Sequence, residues 1–298
     1  MTTTRFAGHE AIRLDAGPIS LAVTTSVGPR ILGLLTEDGR NHFADLPDTT
    51  LECPGSGVIH LYGGSRLWAA PEDPRVTYRP DDDQVGVEEV PDGVTLSTRP
   101  DEVAGTSRET TIRVTGEGRF SLDYRVINRA DRRQRLAAWA ITMMAPGGRA
   151  WLPLLTEPFD PGGFQGQCNL VLWPYSRVGD PRFVHTDRAL EVRTTPEVVA
   201  GLDGPFKVGT SLRRGWVAHW RDGLMLIKHA GHDEDREYAD MGASGQVYAH
   251  SDFTELETLG PLTDLAPGEV AEHHEDWEIR LVDEAEAERL AASDELDR

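Results

Sequence analysis

The 298-residue chain contains few cysteines, few helix-like segments and no long apolar run. Its only cysteines, Cys53 and Cys168, lie far apart and form no Cys-x-x-Cys pair, so neither a disulfide framework nor a zinc or redox motif is indicated. No uncharged apolar stretch approaches the roughly 20 residues that cross a bilayer, and residues 1–15 lack the pattern of a signal peptide. We therefore expect a cytoplasmic protein.

Positive charge is also scarce, because 30 lysines and arginines face 50 aspartates and glutamates, for a formal net charge of −20. Such a surface repels phosphate backbones and anionic lipids, so we expect no nucleic-acid or membrane partner. His229 and His232 have a His-x-x-His spacing, but no third ligand is defined, and we predict neither a metal nor a cofactor. The expected partner is a small molecule, bound by a monomer or a homodimer.

Short segments that alternate apolar and polar residues dominate the chain, and 30 glycines and 19 prolines separate them. The predicted strands are Ile19–Thr24, 110–114, 120–126, 215–220, Leu224–His229 and 275–281, with a hairpin turn at 116–118. Only residues 283–296 have a helix-like composition. The pattern predicts an all-β sandwich or barrel, with one domain over residues 1–282 and a solvated acidic helix or tail over 283–298.

Residues 63–72 bring together two glycines and three side chains suited to ligand binding. The guanidinium of Arg66 can bind carboxylates or sugar hydroxyls, Trp68 can stack on a pyranose ring, and Glu72 adds a carboxylate. An alternative is a bulged strand with Trp68 in the core and Arg66 paired with Glu72.

Three further segments carry aromatic or titratable residues. Residues 139–148, beginning with Trp139, read as a buried central strand, and residues 172–182 read as a turn held by Asp180 and Arg182. Candidate catalytic and binding groups follow a later strand, and these are Lys228, His229, Tyr238, Asp240 and Tyr248.

Glu255 and Glu257 alternate with apolar residues in a strand-like run, so their side chains are predicted to share one face. Like charges at this separation raise one another's pKa, and a glutamate of raised pKa can act as a general acid or base near neutral pH. The alternative is an exposed strand face with two solvated glutamates.

The stretch 255–261, the Leu-Ala-Pro-Gly-Glu turn at 265–269 and the strand ending at 276–279 resemble the C-terminal part of aldose 1-epimerases. Residues 63–72, 139–148, 172–182 and 238–261 resemble an uncharacterised DUF4380-type branch of the same galactose mutarotase superfamily. The resemblance spans residues 15–281 and implies a β-supersandwich with a shallow sugar-binding cleft. It also places Glu255 at the catalytic glutamate and Glu257 at the glutamine of a Glu-x-Gln motif.

In mutarotases a glutamate removes the anomeric proton while a histidine protonates the ring oxygen, and the ring opens and closes again. The family's acid is a histidine in an Asn-His motif ahead of a Tyr-Phe or Tyr-Trp pair, and the chain has no such motif, so the proton donor stays open among His60, Lys228, His229 and Tyr248. Arg66 is expected to orient the sugar, and Trp68 or Trp139 is expected to supply a stacking wall. Two alternatives remain: a carbohydrate-binding module without catalysis, and a lyase, isomerase or cyclase on the same scaffold.

Overall fold

The computed structural model describes residues 2–53, 55–158, 160–202 and 204–297, and strands dominate them. The strands are β1 Thr2–Phe6, β2 His9–Ala16, β3 Ile19–Thr24, β4 Arg30–Thr36, β5 Asp45–Cys53, β6 Gly57–Ala70, β7 Gly86–Val90, β8 Gly93–Ser97, β9 Thr106–Gly116, β10 Arg119–Asn128, β11 Gln134–Met144, β12 Arg149–Pro153, β13 Val171–Leu172, β14 Phe183–His185, β15 Ala189–Arg193, β16 Phe206–Thr210, β17 Trp216–Arg221, β18 Leu224–His229, β19 Gly245–Ala249, β20 Thr254–Leu259, β21 Thr263–Leu265 and β22 Val270–Leu281. The helical segments are α1 Pro196–Val199, α2 Ala239–Gly242 and α3 Glu284–Ala291.

These strands form two antiparallel sheets, which confirms the all-β prediction. The first sheet has the order β1-β2-β3-β4-β6-β11-β20-β19-β16-β13, with β5 paired to β6 and β21 paired to β11. The second has the order β14-β15-β12-β17-β18-β22-β10-β9-β8-β7. Two of the predicted strands, β3 and β18, have the predicted ends, and the turn at 116–118 joins β9 to β10.

The main core lies between the two sheets and follows from the alternation of side chains along each strand. In β10, Phe120 and Leu122 point inward and are fully buried, while Ser121 between them is only half-buried. Leu256 of β20 and Leu226 of β18 meet them in the same apolar cluster. One face of each sheet is therefore committed to the core, and the opposite face is free to carry other groups.

The C-terminal helix α3 covers the outer face of the second sheet. Asp283 caps it by accepting a hydrogen bond from the Glu286 backbone N–H at 2.9 Å. Ala287 and Leu290 are buried beside Trp216 of β17, so the expectation of a solvated tail is wrong for this face, since its apolar residues pack on the sheet. Within the described ranges, no helix combines the length and apolar character needed to cross a bilayer.

Candidate functional site

The first sheet places the chemically important side chains in register on five adjacent strands, β6, β11, β20, β19 and β16. Residues paired across neighbouring strands point to the same face. Two rows of side chains result on the face turned away from the second sheet: Arg66, Ile141, Glu257 and Gln246 in one, and Met143, Glu255, Tyr248 and Lys207 in the other.

A cleft of about 400 Å³ opens over these rows. Six aromatic side chains line it: Trp68, Tyr78, Trp139, Tyr175, Tyr248 and Phe253. Trp68 contacts both Tyr78 and Trp139 edge-on, at ring-centroid distances of 5.0 and 5.9 Å. The volume lies within the roughly 300–1,000 Å³ of typical small-molecule sites, and flat apolar walls with a polar floor suit a ring-shaped polar ligand.

Arg66 holds the carboxylate of Glu255 at the floor of this cleft. Its Nη2 donates to Glu255 Oε1 at 3.0 Å, and its guanidinium lies 4.0 Å from the centre of the Trp68 ring. Its Nη1 contacts Met143 Sδ at 2.8 Å, and its buried Nε has no hydrogen-bond partner among the described residues. The predicted alternative of an Arg66–Glu72 pair is wrong, because the side chain of Glu72 accepts from Tyr78 instead.

Glu257 lies in the adjacent row and is fully buried. Its Oε2 accepts hydrogen bonds from Lys207 Nζ and Trp139 Nε1, each at 2.8 Å. Burial and the neighbouring Glu255 carboxylate raise the pKa of Glu257 to about 7, against the opposing effect of the Lys207 ammonium. The alternative of two solvated glutamates is therefore wrong, although both side chains share one strand face.

The paired glycines of β6 allow this strand to enter the cleft. Gly63 and Gly64 have φ values of +90° and +66°, and an added Cβ would lie 2.0 Å from the Ala44 carbonyl oxygen or 2.1 Å from that of Ile31. The irregular backbone breaks the alternation of the strand, so that Leu61 and Arg66 both line the cleft. The glycines thus serve backbone packing, and Arg66 faces the site as a consequence.

Sequence reasoning missed Lys207, although β16 carries a signal for it. Lys207 lies between Phe206 and Val208, which are fully buried in the core, and a lone lysine within such a strand must find a polar partner on the other face. Tyr78 and His250 were also missed, since both lie outside strands, where no periodicity indicates their direction. The predicted turn at 172–182 contributes Tyr175 to the cleft.

Lys228 and His229 do not reach the cleft. They belong to β18 of the second sheet, where Lys228 points into the core and donates to Glu275 Oε1 at 2.9 Å and to the Leu256 carbonyl at 3.1 Å. His229 is on the opposite face of β18, with its Nε2 3.7 Å from a carboxylate oxygen of Glu278. The expectation that Lys228 or His229 donates a proton in the cleft is therefore wrong, because β18 belongs to the second sheet.

His60, Tyr238 and Asp240 also lie outside the cleft. The Nδ1 of His60 is 3.2 Å from Asp82, on the side of β6 opposite to Leu61. Tyr238 and Asp240 line a separate, more open cavity. Of the proposed site residues, the cleft thus brings together Arg66, Trp68, Glu72, Trp139, Tyr248 and Glu255, with Glu257 behind them. No cluster of three potential metal ligands occurs within the described ranges.

Comparison with solved structures identifies the architecture. A galactose mutarotase-like protein from Lactobacillus casei superposes with a TM-score of 0.60 and 12% identity, over 91% of this chain and 100% of that one. A candidate aldose 1-epimerase from Escherichia coli K12 gives 0.56 and 10%, over 91% and 99%. A candidate mutarotase from Salmonella typhimurium gives 0.53 and 8%, over 94% and 93%.

The chain therefore has the galactose mutarotase-like β-sandwich fold, as predicted. Identities this low establish the fold and leave the activity to the site itself. No protein-family model and no curated protein matches the sequence. The relationship to a DUF4380-type branch accordingly stays a prediction.

Proposed function

We propose that the cleft binds a small carbohydrate or sugar-like hemiacetal and that Glu255 acts there as a general base, in a reaction of the aldose 1-epimerase type. The observation that carries the proposal is the Glu255 carboxylate, which Arg66 orients at the floor of a cleft walled by aromatic rings. A base for this chemistry must reach one hydroxyl of a bound ring.

In this proposal the aromatic walls of the cleft contact the apolar face of the sugar, and the polar floor contacts its hydroxyls. Trp68 and Trp139 are each only 4% exposed, so the C–H-rich face of a pyranose packs on Tyr175, which is 44% exposed, and this removes apolar surface from water. The Glu255 carboxylate at the floor can then hydrogen-bond a hydroxyl.

Tyr248 is the proton donor in this proposal. Among the sequence candidates His60, Lys228, His229 and Tyr248, it alone lines the cleft, and it pairs in register with Glu255. Burial, followed by the charges of Glu255 and Glu257, raises the pKa of Tyr248 to about 12, so the phenol keeps its proton at neutral pH.

The reaction balances with these two groups. Glu255 takes the proton from the anomeric hydroxyl, the bond between the anomeric carbon and the ring oxygen breaks, and Tyr248 donates its proton to that oxygen. Rotation about the adjacent carbon–carbon bond and reversal of both transfers close the ring on the other face. These proton transfers and the ring opening require no cofactor.

The substitution Glu255→Gln tests the base. The amide still accepts a hydrogen bond from Arg66 but cannot take a proton, so we expect anomer interconversion to fall by roughly 10²–10⁴-fold with little loss of thermal stability. Saturation-transfer NMR on a panel of aldoses measures the rate. Glu109→Gln is the matched control, since Glu109 accepts from Arg125 on the second sheet. Unchanged interconversion by Glu255→Gln contradicts the assignment.

A non-catalytic carbohydrate-binding module is the second candidate. The Arg66–Glu255 ion pair favours it, because the carboxylate is already engaged by a protein cation and needs no catalytic role to be satisfied. A thermal-shift screen with mono- and oligosaccharides identifies ligands, and NMR on those ligands tests for exchange of anomers. Binding without any acceleration of exchange supports the module over the enzyme.

A further inference from the structure

Both basic side chains at the floor of the cleft have an acidic partner in the protein. Arg66 pairs with Glu255 at 3.0 Å, and Lys207 pairs with Glu257 at 2.8 Å. Arg66 and Lys207 are each 4% exposed. An anionic ligand group at Arg66 would have to displace the Glu255 carboxylate, and a buried carboxylate left unpaired is costly.

The rim of the cleft has the opposite character. Glu72 is exposed, accepts a hydrogen bond from the Tyr78 hydroxyl and forms no ion pair with any basic side chain of the described residues. Asp252 lies at the other end, with His250 Nδ1 3.4 Å away. The rim thus adds the carboxylates of Glu72 and Asp252 to that of Glu255 at the floor.

The pKa values of the cleft tyrosines are affected by the same carboxylates. Burial is the largest cause of the raised pKa of Tyr78, Tyr175 and Tyr248, and the carboxylates of Glu72 and Glu255 raise all three further. A phenol resists ionisation where the surrounding potential is negative. The three phenols thus lie within the electrostatic reach of both Glu72 and Glu255.

We propose that the substrate is an amino sugar, a hemiacetal bearing an ammonium group, and that Glu72 is the residue that selects it. This inference rests on the proposed function and narrows its substrate class. Glu72 supplies a carboxylate that accepts from the Tyr78 hydroxyl but pairs with no basic side chain of the described residues, and it lies beside the Trp68 and Tyr78 rings. Aromatic faces together with a carboxylate are a favourable environment for an ammonium ion. Sugar phosphates and uronic acids meet like charge, which disfavours them.

The test compares glucosamine, glucose and glucose 6-phosphate as substrates for anomer interconversion. At about pH 6.5, below the ~7.7–8 typical of such amines, the amine carries its charge. We expect kcat/KM for glucosamine to exceed that for glucose by about threefold or more and that for the phosphate by about tenfold or more. Values within twofold for glucosamine and glucose, or a phosphate converted as well as glucose, overturn the inference.

Glu72→Gln removes the proposed selecting charge, and it should bring the glucosamine-to-glucose ratio of kcat/KM close to one. Glu88→Gln is the control, because Glu88 is an exposed glutamate on β7 of the second sheet. A ratio that Glu72→Gln leaves unchanged, or that Glu88→Gln lowers as much, overturns the role of Glu72.

Calorimetric binding separates this inference from the proposed function. If the wild type converts none of the three sugars, the catalytic proposal fails, and the affinities for glucosamine and glucose 6-phosphate still test the charge preference. Tighter binding of glucosamine, weakened by added salt, supports the inference without catalysis. Equal affinities, or no binding of either sugar, overturn it.

Discussion

At the scale of single residues, the cleft depends on two ion pairs that cross the register of the sheet. Arg66 lies in the row of Glu257 but binds Glu255, and Lys207 lies in the row of Glu255 but binds Glu257. Each carboxylate thus has its cation one row away. The two glutamates differ in surroundings, since Glu255 lines the cleft while Glu257 is fully buried. Different environments fit different roles for two chemically identical side chains.

Glu257 should make stability depend on pH. Its pKa is about 7 in the folded chain against an ordinary 4.5, so the folded chain retains a proton that the unfolded chain releases. The contribution to the free energy of unfolding is complete below about pH 4.5 and is lost as pH rises through about 7, a change of up to ~3 kcal/mol. Urea unfolding of the wild type and Glu257→Gln between pH 5 and 8 measures it.

The comparison depends on how the free energy of unfolding changes with pH in each protein, and not on the absolute stability of Glu257→Gln. That variant replaces the hydrogen-bond partner of the Lys207 ammonium by an amide that does not titrate, which can shift the absolute stability of the protein. The expected result is a stability difference between the two proteins that changes across this pH range. Parallel curves show that Glu257 titrates at the same pH in the folded and unfolded chains.

At the scale of elements, β20 carries the site on one face and a buried polar network on the other. Thr258 points inward and bonds His273 at 2.7 Å as well as Glu275. Glu275 also accepts from Tyr124 at 2.9 Å and pairs with Lys228, which binds the Leu256 carbonyl. The network joins β20 to the second sheet directly behind Glu255 and Glu257.

Lys228→Met should break this network severely. It leaves the Glu275 carboxylate buried without a cation, and we expect a loss of about 3–5 kcal/mol in the free energy of unfolding. Combining it with Glu275→Gln should recover at least half of the loss, because the unpaired charge is then removed. Urea denaturation measures both variants.

The matched control for this network is Arg125→Met. Arg125 pairs with Glu109 on the solvent side of the second sheet and is 42% exposed, so its loss should cost at most about 1 kcal/mol. A cost for Lys228→Met as small as that of Arg125→Met excludes a role of the buried pair in stability.

At the scale of the whole molecule, three layers are stacked: the first sheet with the cleft, the second sheet, and α3 on its outer face. The helix is held by its apolar residues and also by charge, because Arg149 of β12 pairs with Glu284 and Glu288 at 3.2 Å. Part of the chain's acidic excess is thereby used to attach the C-terminal segment. The cleft lies on the opposite side, so the helix and the site are separated by both sheets.

Leu290→Ala tests whether α3 contributes to stability. Leu290 is 1% exposed, and its truncation should lower the free energy of unfolding by about 2–3 kcal/mol. Arg289→Ala on the exposed face of the helix should change it by no more than about 0.5 kcal/mol. Thermal unfolding of both variants provides the measurement. Equal effects would indicate that α3 is only loosely attached.

The sequence by itself determined the local features of this protein. Alternation located β3, β10 and β18, and the i, i+2 spacing placed Glu255 and Glu257 on one face, because the direction of strand side chains depends only on parity. The C-terminal motif and its neighbours indicated the fold. These inferences required no knowledge of which strands are neighbours.

Only the tertiary structure decided which residues meet. The alternation of side chains along β18 does not show that this strand lies in the second sheet. Lys228 and His229 were therefore predicted as site residues, although the second sheet holds them away from the cleft. Lys207 joins Glu257 across strands that are 50 residues apart in the chain. Strand order and register arise from burial summed over the whole sandwich, and no local segment contains that information.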